Sequence, residues 1–309
     1  MIILSIGIPT YERLDLLERS IKSIIDQNNI EEYEIEILVG DDSKKNNYSL
    51  LKEVELSLPE NITLEYMHHQ LSKGQNDNVS SLINRARGTY FCLMHDDDFF
   101  LKGALSILLE KVIENDRCIV FGKQLIYNQS FDYSNSDKVN HDFKRSAKFD
   151  GEQKDSVAMA MLQQCPNDGY ILQSKFAKLI GSRLEDEIGT ACDFDFALRA
   201  TVQQNLAFYF VNQYTTAYNI SSDSVTSSFQ NNAGERKLKI LYEFNTDKTH
   251  HDVFHEVLKT DLSMVISHYI IVKNYKEAKK YLLNFKNFTK YLWFKPATYL
   301  HLFKLTFKL

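Results

Sequence analysis

Apolar positions along this chain fall into two rhythms. Residues 2 to 8 form a short apolar run closed by Pro9-Thr10, after which Leu14, Leu17, Ile21, Ile24 and Ile25 recur at helical spacing. The pattern predicts strand, turn, helix. Ile35, Ile37 and Val39 alternate into Asp41-Asp42, residues 62 to 66 give a third strand, and Val79, Leu82, Ile83 and Ala86 mark a second helix. That helix leads through Arg87-Gly88 into the run 89 to 94, which ends at Asp96, Asp97 and Asp98. A helix carrying Leu105, Leu108, Leu109 and Val112 and a strand at 118 to 121 follow. Residues 128 to 156 are polar and charged and read as a long connection. From about 233 onward the spacing is mostly helical.

Alternation of this kind predicts an α/β fold, a parallel sheet covered by helices with ligands bound outside the carboxyl ends of the strands. Asp41, Asp42 and Asp96 to Asp98 fall at such ends. Carboxylates distant in sequence can therefore share one crevice. Adjacent carboxylates repel and stay partly protonated, whereas a divalent cation lets them ionise and leaves coordination positions for substrate phosphates. Position alone weighs magnesium- or manganese-like chemistry evenly against a solvated acidic turn.

Composition narrows the class. With 44% hydrophobic and 12% aromatic residues in 309, the chain can build a sizeable core plus an appendage, which excludes general disorder. Cys92, Cys118, Cys165 and Cys192 form no CxxC pair, so neither a structural zinc site nor a disulfide framework is expected, and a reducing compartment suits them. No charged leader precedes an apolar core, and no uncharged stretch approaches the ~20 residues that span a bilayer. The expectation is a cytoplasmic protein. Residues 273–309 hold nine lysines and one acid, Glu277, a formal +8 that leaves −13 for the remainder of a chain whose total is −5. Those lysines alternate with aromatics such as Tyr281, Trp293, Tyr299, Phe303 and Phe307. Such a tail suits an anionic membrane interface at the inner face of the plasma membrane, and packing on the main domain or on a twin subunit stays open beside it. Nucleic acid is not expected, for want of a basic motif of known type. His251 and His255 are four apart but lack the glutamate of a metalloprotease motif, and read as a solvated helix face. Absence of a Gly-x-Gly-x-x-Gly or phosphate-loop signature removes support for nicotinamide and P-loop chemistry.

The segment from Ile8-Pro9-Thr10-Tyr11-Glu12-Arg13 to Asp26-Gln27 resembles the opening of family 2 glycosyltransferases of the GT-A fold. The strand ending Gly40-Asp41-Asp42-Ser43 is similar to the family's nucleotide-base site. Gly74 to Asn78 with Ala86-Arg87-Gly88-Thr89-Tyr90 is similar to the helix before its metal strand, and Asp96-Asp97-Asp98 to its metal-binding DxD region. A further block, 193 to 200, resembles the segment with the catalytic carboxylate, over a resemblance covering about residues 2 to 226.

The resemblance implies a GT-A, Rossmann-like, mostly parallel sheet flanked by helices in residues 1–232, with a nucleotide-sugar half at 1–100, an acceptor half at 101–232, and a C-terminal helical appendage at 233–309. It implies an inverting, metal-dependent, non-processive sugar transferase using Mn2+ or Mg2+. The donor is a nucleotide-diphosphate sugar and the acceptor a glycan or lipid-linked hydroxyl, in bacterial cell-surface polysaccharide synthesis; an oligomer is compatible with it. Pro9, Thr10, Tyr11, Arg13, Asp41, Asp42, Gly74, Asn78 and Asp96 become nucleotide-sugar residues, with Asp41 holding the base. Asp97 and Asp98 become metal residues, and Asp193 the base that takes the acceptor proton. A helix-start aspartate facing the dipole is the plain reading of Asp193, with Asp195 the weaker competitor. Departures are His95 where many relatives carry aspartate, Cys192 before the catalytic carboxylate, and Tyr218-Asn219-Ile220-Ser221, which lacks the family's arginine and histidine. Other readings are a sugar-phosphate nucleotidyltransferase and a non-catalytic membrane-surface partner with a degenerate site.

Overall fold

The computed structural model describes residues 2–46, 51–220, 233–244, 250–283 and 296–307. Two compact units emerge, one of residues 1–185 with 196–222, the other of 186–195 with 223–309. The expected boundary at 232, Ser221, Trp293 and four of the tail lysines (286, 290, 295 and 308) lie outside the described residues.

In the first unit the strands are β1 (Ile2–Thr10), β2 (Glu34–Asp41), β3 (Ile62–His68), β4 (Tyr90–Leu93), β5 (Phe99–Phe100), β6 (Cys118–Tyr127), β7 (Gly151–Glu152), β8 (Ile171–Gln173) and β9 (Ala207–Asn219). They form one sheet in the order β3-β2-β1-β4-β8-β6-β9-β5, with β7 on β9. The long pairings, β3 on β2, β2 on β1, β1 on β4 and β6 on β9, are parallel. The short ones, through β5, β7 and β8, are antiparallel. Helices α1 (Leu14–Ile25), α2 (Lys52–Leu56), α3 (Gln75–Arg85), α4 (Ala104–Glu114), α5 (Tyr133–Asp142), α6 (Ser156–Met161) and α7 (Ser174–Ile180) connect them.

Period two along β1 divides the two faces. Leu4, Ile6 and Ile8 join Leu17, Ile21 and Ile24 of α1 and Leu105, Leu108 and Leu109 of α4 in one buried cluster. Each such side chain contributes about 1.5–3 kcal/mol when fully buried. The alternate positions are small: a Cβ on Gly7 would stand 3.1 Å from Leu82 of α3 and from the Phe91 ring, so this side admits α3 close to the strands.

The segment 128 to 156 is not a plain connection. It holds α5, a 3-10 turn at Ala147–Phe149 and β7. Asp132 caps α5 by accepting from Asn135 N–H at 3.0 Å, and the helix docks by hydrogen bonds. Ser136 Oγ accepts from Ile126 N–H at 2.8 Å, and the Asn140 amide grips both backbone groups of Gln124.

Helix α8 (Glu185–Ile188) begins at the edge of the first unit. Helix α9 (Cys192–Val202) gives Cys192 to Asp195 to the second unit and the rest to the first. The second unit continues with α10 (Ala233–Phe244), α11 (His251–Ile271), α12 (Tyr275–Leu283) and α13 (Pro296–Phe307), so its described part is helical. Glu235 of α10 accepts from Tyr269 Oη of α11 at 2.6 Å and from Tyr281 Oη of α12 at 2.7 Å, tying three helices at one carboxylate.

Candidate functional site

Three parallel strands end together. Thr10 of β1 is in register with Asp41 of β2, and Met94 just past β4 donates its N–H to Gly7 O at 3.0 Å. This places the Asp96–Asp98 run beside the end of β1. Thr10 Oγ1 donates to Asp96 Oδ2 at 2.7 Å, and Arg13 NH1 stands 2.8 Å from Asp97 Oδ2 and 3.5 Å from Asp96 Oδ1. Arg19 NH2 donates to Asp97 O at 2.6 Å, while its guanidinium lies over the Phe99 ring. Burial, opposed by the Thr10 hydrogen bond, raises the Asp96 carboxyl above its usual range.

A ring nitrogen of His95 and carboxylate oxygens of Asp97 and Asp98 lie within 4.8 Å of one another. Asp98 Oδ1 accepts from Asn219 N–H at 2.7 Å, whereas its Oδ2 is buried with no hydrogen-bond donor. Burial, then the carboxylates of Asp168 and Asp97, push Asp98 well above the ordinary value. The buried Asp98, with its unfilled oxygen, and the half-buried Asp97 form a donor set suited to a hard divalent cation such as Mn2+ or Mg2+. The residues present fit such an ion.

On the β2 side, Asp41 Oδ1 accepts from Ser43 N–H at 2.8 Å and its Oδ2 from the Tyr66 hydroxyl. Asp42 differs. Its Oδ2 gathers Ser72 Oγ, Lys73 N–H and Gly74 N–H at 3.1, 3.0 and 2.9 Å, and its Oδ1 is buried without a partner. Gly74 reaches this position with φ +80°, a left-handed backbone that favours glycine. Asn78 faces the sheet: its Nδ2 donates to Gly40 O at 2.8 Å and its Oδ1 lies 3.2 Å from His69 Nε2. A Cβ at Gly40 would stand 2.1 Å from that Oδ1, so glycine is what lets the amide in. Pro9 pairs with Gly40 inside the sheet, and Tyr11 is exposed.

Asp193 lies in the first turn of α9, half-buried, and Cys192 Sγ donates to its Oδ1 at 3.6 Å. Burial and Asp193 raise the Cys192 thiol well above its usual value. Asp195, also in that turn, is fully buried. Both belong to the second unit.

The sequence profile of glycosyl transferase family 2 matches residues 5–165, a little over half of the chain. The chain belongs to that family. It is 32% identical over 123 residues to a GalNAc(5)-diNAcBac-PP-undecaprenol beta-1,3-glucosyltransferase of Campylobacter jejuni, covering 40% of this chain and 38% of that one. An uncharacterized glycosyltransferase of Mycoplasma genitalium is 33% identical over 111 residues, 34% of this chain and 35% of its own. The alignments thus span under two fifths of these relatives' lengths. Among solved structures, S. aureus TarS 1–349 in complex with UDP superposes with TM-score 0.67 at 14% identity over 99% of this chain and 89% of that one. The same protein in complex with UDP-GlcNAc gives 0.59 at 13% over 91% and 88%. At these identities the likeness bears on fold, and the mostly parallel, helix-flanked sheet of family 2 is the one found here.

One residue of the candidate site escaped the sequence pattern. Asp168, fully buried, accepts from His95 N–H at 3.0 Å and from Gln124 Nε2 at 3.2 Å, and burial raises its carboxyl. Asn167-Asp168-Gly169 reads in sequence as a turn, and Gly169 does adopt φ +69°. Only the return of the chain to β4 distinguishes a turn from a wall of the site.

Proposed function

We propose that this chain transfers one sugar, with inversion, from a nucleotide-diphosphate sugar to a hydroxyl of a glycan or lipid-linked acceptor, using Mn2+ or Mg2+. The observation that carries the reading is the unfilled, buried Asp98 Oδ2 beside Asp97 at the carboxyl end of the sheet. Asp97 and Asp98 would hold the cation, which when bound neutralises charge growing on the departing diphosphate. Thr10 and Arg13 fix the orientation of Asp96 and Asp97. Asp41 was expected to hold the base; because Ser43 N–H and the Tyr66 hydroxyl occupy its oxygens, the base N–H would go to the neighbouring Asp42 Oδ1, whose other oxygen is held by Gly74 N–H. Asp193 would take the acceptor proton opposite the leaving group.

UDP, bound by TarS, is the first nucleotide to try. Calorimetry on the full chain should give UDP binding with manganese and none with chelator; equal affinity in both removes the metal from the reading. Asp193→Asn should keep that binding and lose transfer by about 10²- to 10⁴-fold. Near-normal turnover would transfer the role elsewhere.

The Campylobacter relative's name carries an undecaprenol-linked substrate, which supports a membrane-proximal acceptor in cell-surface polysaccharide synthesis. No helix among the described residues is long and apolar enough to cross a membrane. In the second unit Lys273, Lys276, Lys279 and Lys280 are exposed, and α13 exposes Tyr299, Phe303 and Phe307. Such a surface suits reversible attachment to anionic lipid at the cytoplasmic face, each lysine contributing about 1 kcal/mol. Flotation with anionic liposomes should fall when Lys273, Lys276 and Lys279 are changed to glutamine, and fall with salt. Unchanged flotation would leave α12 and α13 as packing elements.

A further inference from the structure

The end of β6 and the start of α5 carry aromatic side chains that lie outside the buried core cluster. Past Tyr127 the chain turns through Gln129, at φ +59°, and comes back so that Phe131 bridges to Tyr127 and Asp132 N–H donates to Ile126 O at 3.0 Å. Asp132 caps α5, which puts Phe131 just before the cap and Tyr133 just after it. A residue before the cap ordinarily packs on an apolar side chain at the fourth helical position. Here that position is Ser136, whose Oγ is taken by Ile126 N–H at 2.8 Å. Phe131 meets other rings instead. Centroids are 5.3 Å apart from Phe99 to Tyr127, 5.4 Å from Tyr127 to Phe131, 6.3 Å from Phe131 to Tyr133 and 5.9 Å from Tyr133 to Tyr214. The inner end of this row adjoins the acidic rim. Phe99 follows Asp98 in the chain, Tyr127 is in register with Asn219, whose N–H donates to Asp98, and Arg19 lies over the Phe99 and Tyr127 rings while donating to Asp97 O. The outer end is open: Phe131 is 42% and Tyr133 57% exposed, and among the described residues no cationic group lies over either ring.

We propose that Phe131 and Tyr133, continued inward by Tyr127 and Phe99, form a platform on which the sugar rings of an oligosaccharide acceptor stack beside the carboxylate site. That the glycan is the acceptor rests on the function proposed above; that the rings bind sugar does not. A pyranose offers a flat face of C–H bonds and an edge of hydroxyls, and its C–H face complements the negative face of an aromatic ring. Both needs are met here. Hydrogen-bonding groups flank the rings, with the Tyr214 hydroxyl on Asp137 Oδ1 at 2.6 Å and the exposed Asn128, Gln129 and Ser130 between Tyr127 and Phe131. An anionic bilayer fits worse, because residues 128–143 hold three aspartates and one lysine, and hydrogen bonds from Asn135 keep the Asp132 carboxyl below its ordinary value. The mount is rigid as well. Ser136 and Asn140 fasten α5 to β6, so the rings are placed before a ligand arrives and little ordering is charged to its binding.

Saturation-transfer NMR on the full chain in magnesium, with hexasaccharides of glucose, of N-acetylglucosamine and of N-acetylgalactosamine as probes, tests the platform. Expected is transfer from protein aromatic protons to the ring C–H protons of at least one hexasaccharide; silence from all of them overturns the proposal. Against a hexasaccharide that binds, Phe131→Leu and Tyr133→Leu should each weaken affinity by about three- to tenfold, whereas Tyr133→Phe, which keeps the ring face, should stay within about twofold. Leucine variants that bind as well as the unaltered chain overturn the stacking. Calorimetry with UDP and manganese should give both leucine variants an affinity within about twofold of the unaltered chain, since the rings are placed on the sugar and not on the nucleotide. A loss of UDP binding as large as the loss of sugar would make the rings packing elements and overturn the proposal. Changing Phe131 and Tyr133 together to serine should alter neither flotation on anionic liposomes nor sedimentation; a fall in either assigns the rings to a membrane or to a second copy of the chain and overturns it. If the unaltered chain binds a hexasaccharide but not UDP, the proposed function falls and the platform stands. If it binds UDP and none of the hexasaccharides, the platform alone falls.

Discussion

Asp261 in the helical unit and Asp98 in the sheet unit are both buried carboxylates, 2% and 1% exposed, but they keep opposite company. Asp261 has Lys237 Nζ 3.1 Å from its Oδ1. Asp98 has the carboxylates of Asp168 and Asp97 as neighbours and makes no ion pair with a lysine or arginine among the described residues. Burying charge costs several kcal/mol per ion unless it is paired. In one unit the chain supplies the cation itself, and the carboxylate serves to hold helices together. In the other no lysine or arginine among the described residues pairs with the carboxylate, and there the proposed metal site lies.

Substitution should separate these two uses. The largest effect is expected from Asp98→Asn, which should lower turnover by about 10³-fold or more, since a bound cation supplies several kcal/mol of charge stabilisation. Its melting temperature in chelator should not fall, because a like-charge contact has been removed; a lower one would make Asp98 a structural residue like Asp261. Lys237→Met should do the reverse, costing about 3–5 kcal/mol in urea denaturation by stranding Asp261. Pairing it with Asp261→Leu should recover most of that loss, and transfer kinetics should move little throughout. The smallest effect is one of pH. Burial, the larger influence, lifts Asp261 above its usual range against the pull of Lys237. A carboxyl raised in the folded state contributes stability that is present below its unfolded pKa of about 3.9 and is lost as pH rises through the folded value. The stability of the native chain relative to Asp261→Asn should therefore decline over that interval, and a flat difference would show the lysine winning over burial.

The sheet was legible because its signals are apolar and periodic: Leu4, Ile6 and Ile8 against Leu17, Ile21 and Ile24 could hardly fold otherwise. The aspartates at 41, 42 and 96 to 98 followed from where those strands end. Helix α5 was not legible, because its buried residues are Ser136 and Asn140, which dock through hydrogen bonds and leave no apolar rhythm to detect. Asp168 was hidden for a related reason, its meaning arising from His95 and Gln124, 73 and 44 residues away. Asn78 was expected at the nucleotide, and its amide is engaged with Gly40 and His69.

That engagement bears on how fast a ligand can be captured. One helical turn separates Asn78, fastened to the carbonyl of Gly40, from Gly74, whose N–H holds Asp42. Strand and helix are thereby riveted at two points, and the direction of Asp42 Oδ1 is set before anything arrives. On the proposed reading a base would meet an acceptor already aimed, with no side-chain ordering charged against its affinity. Encounter here should follow diffusion and electrostatic attraction, with no slow isomerisation after contact.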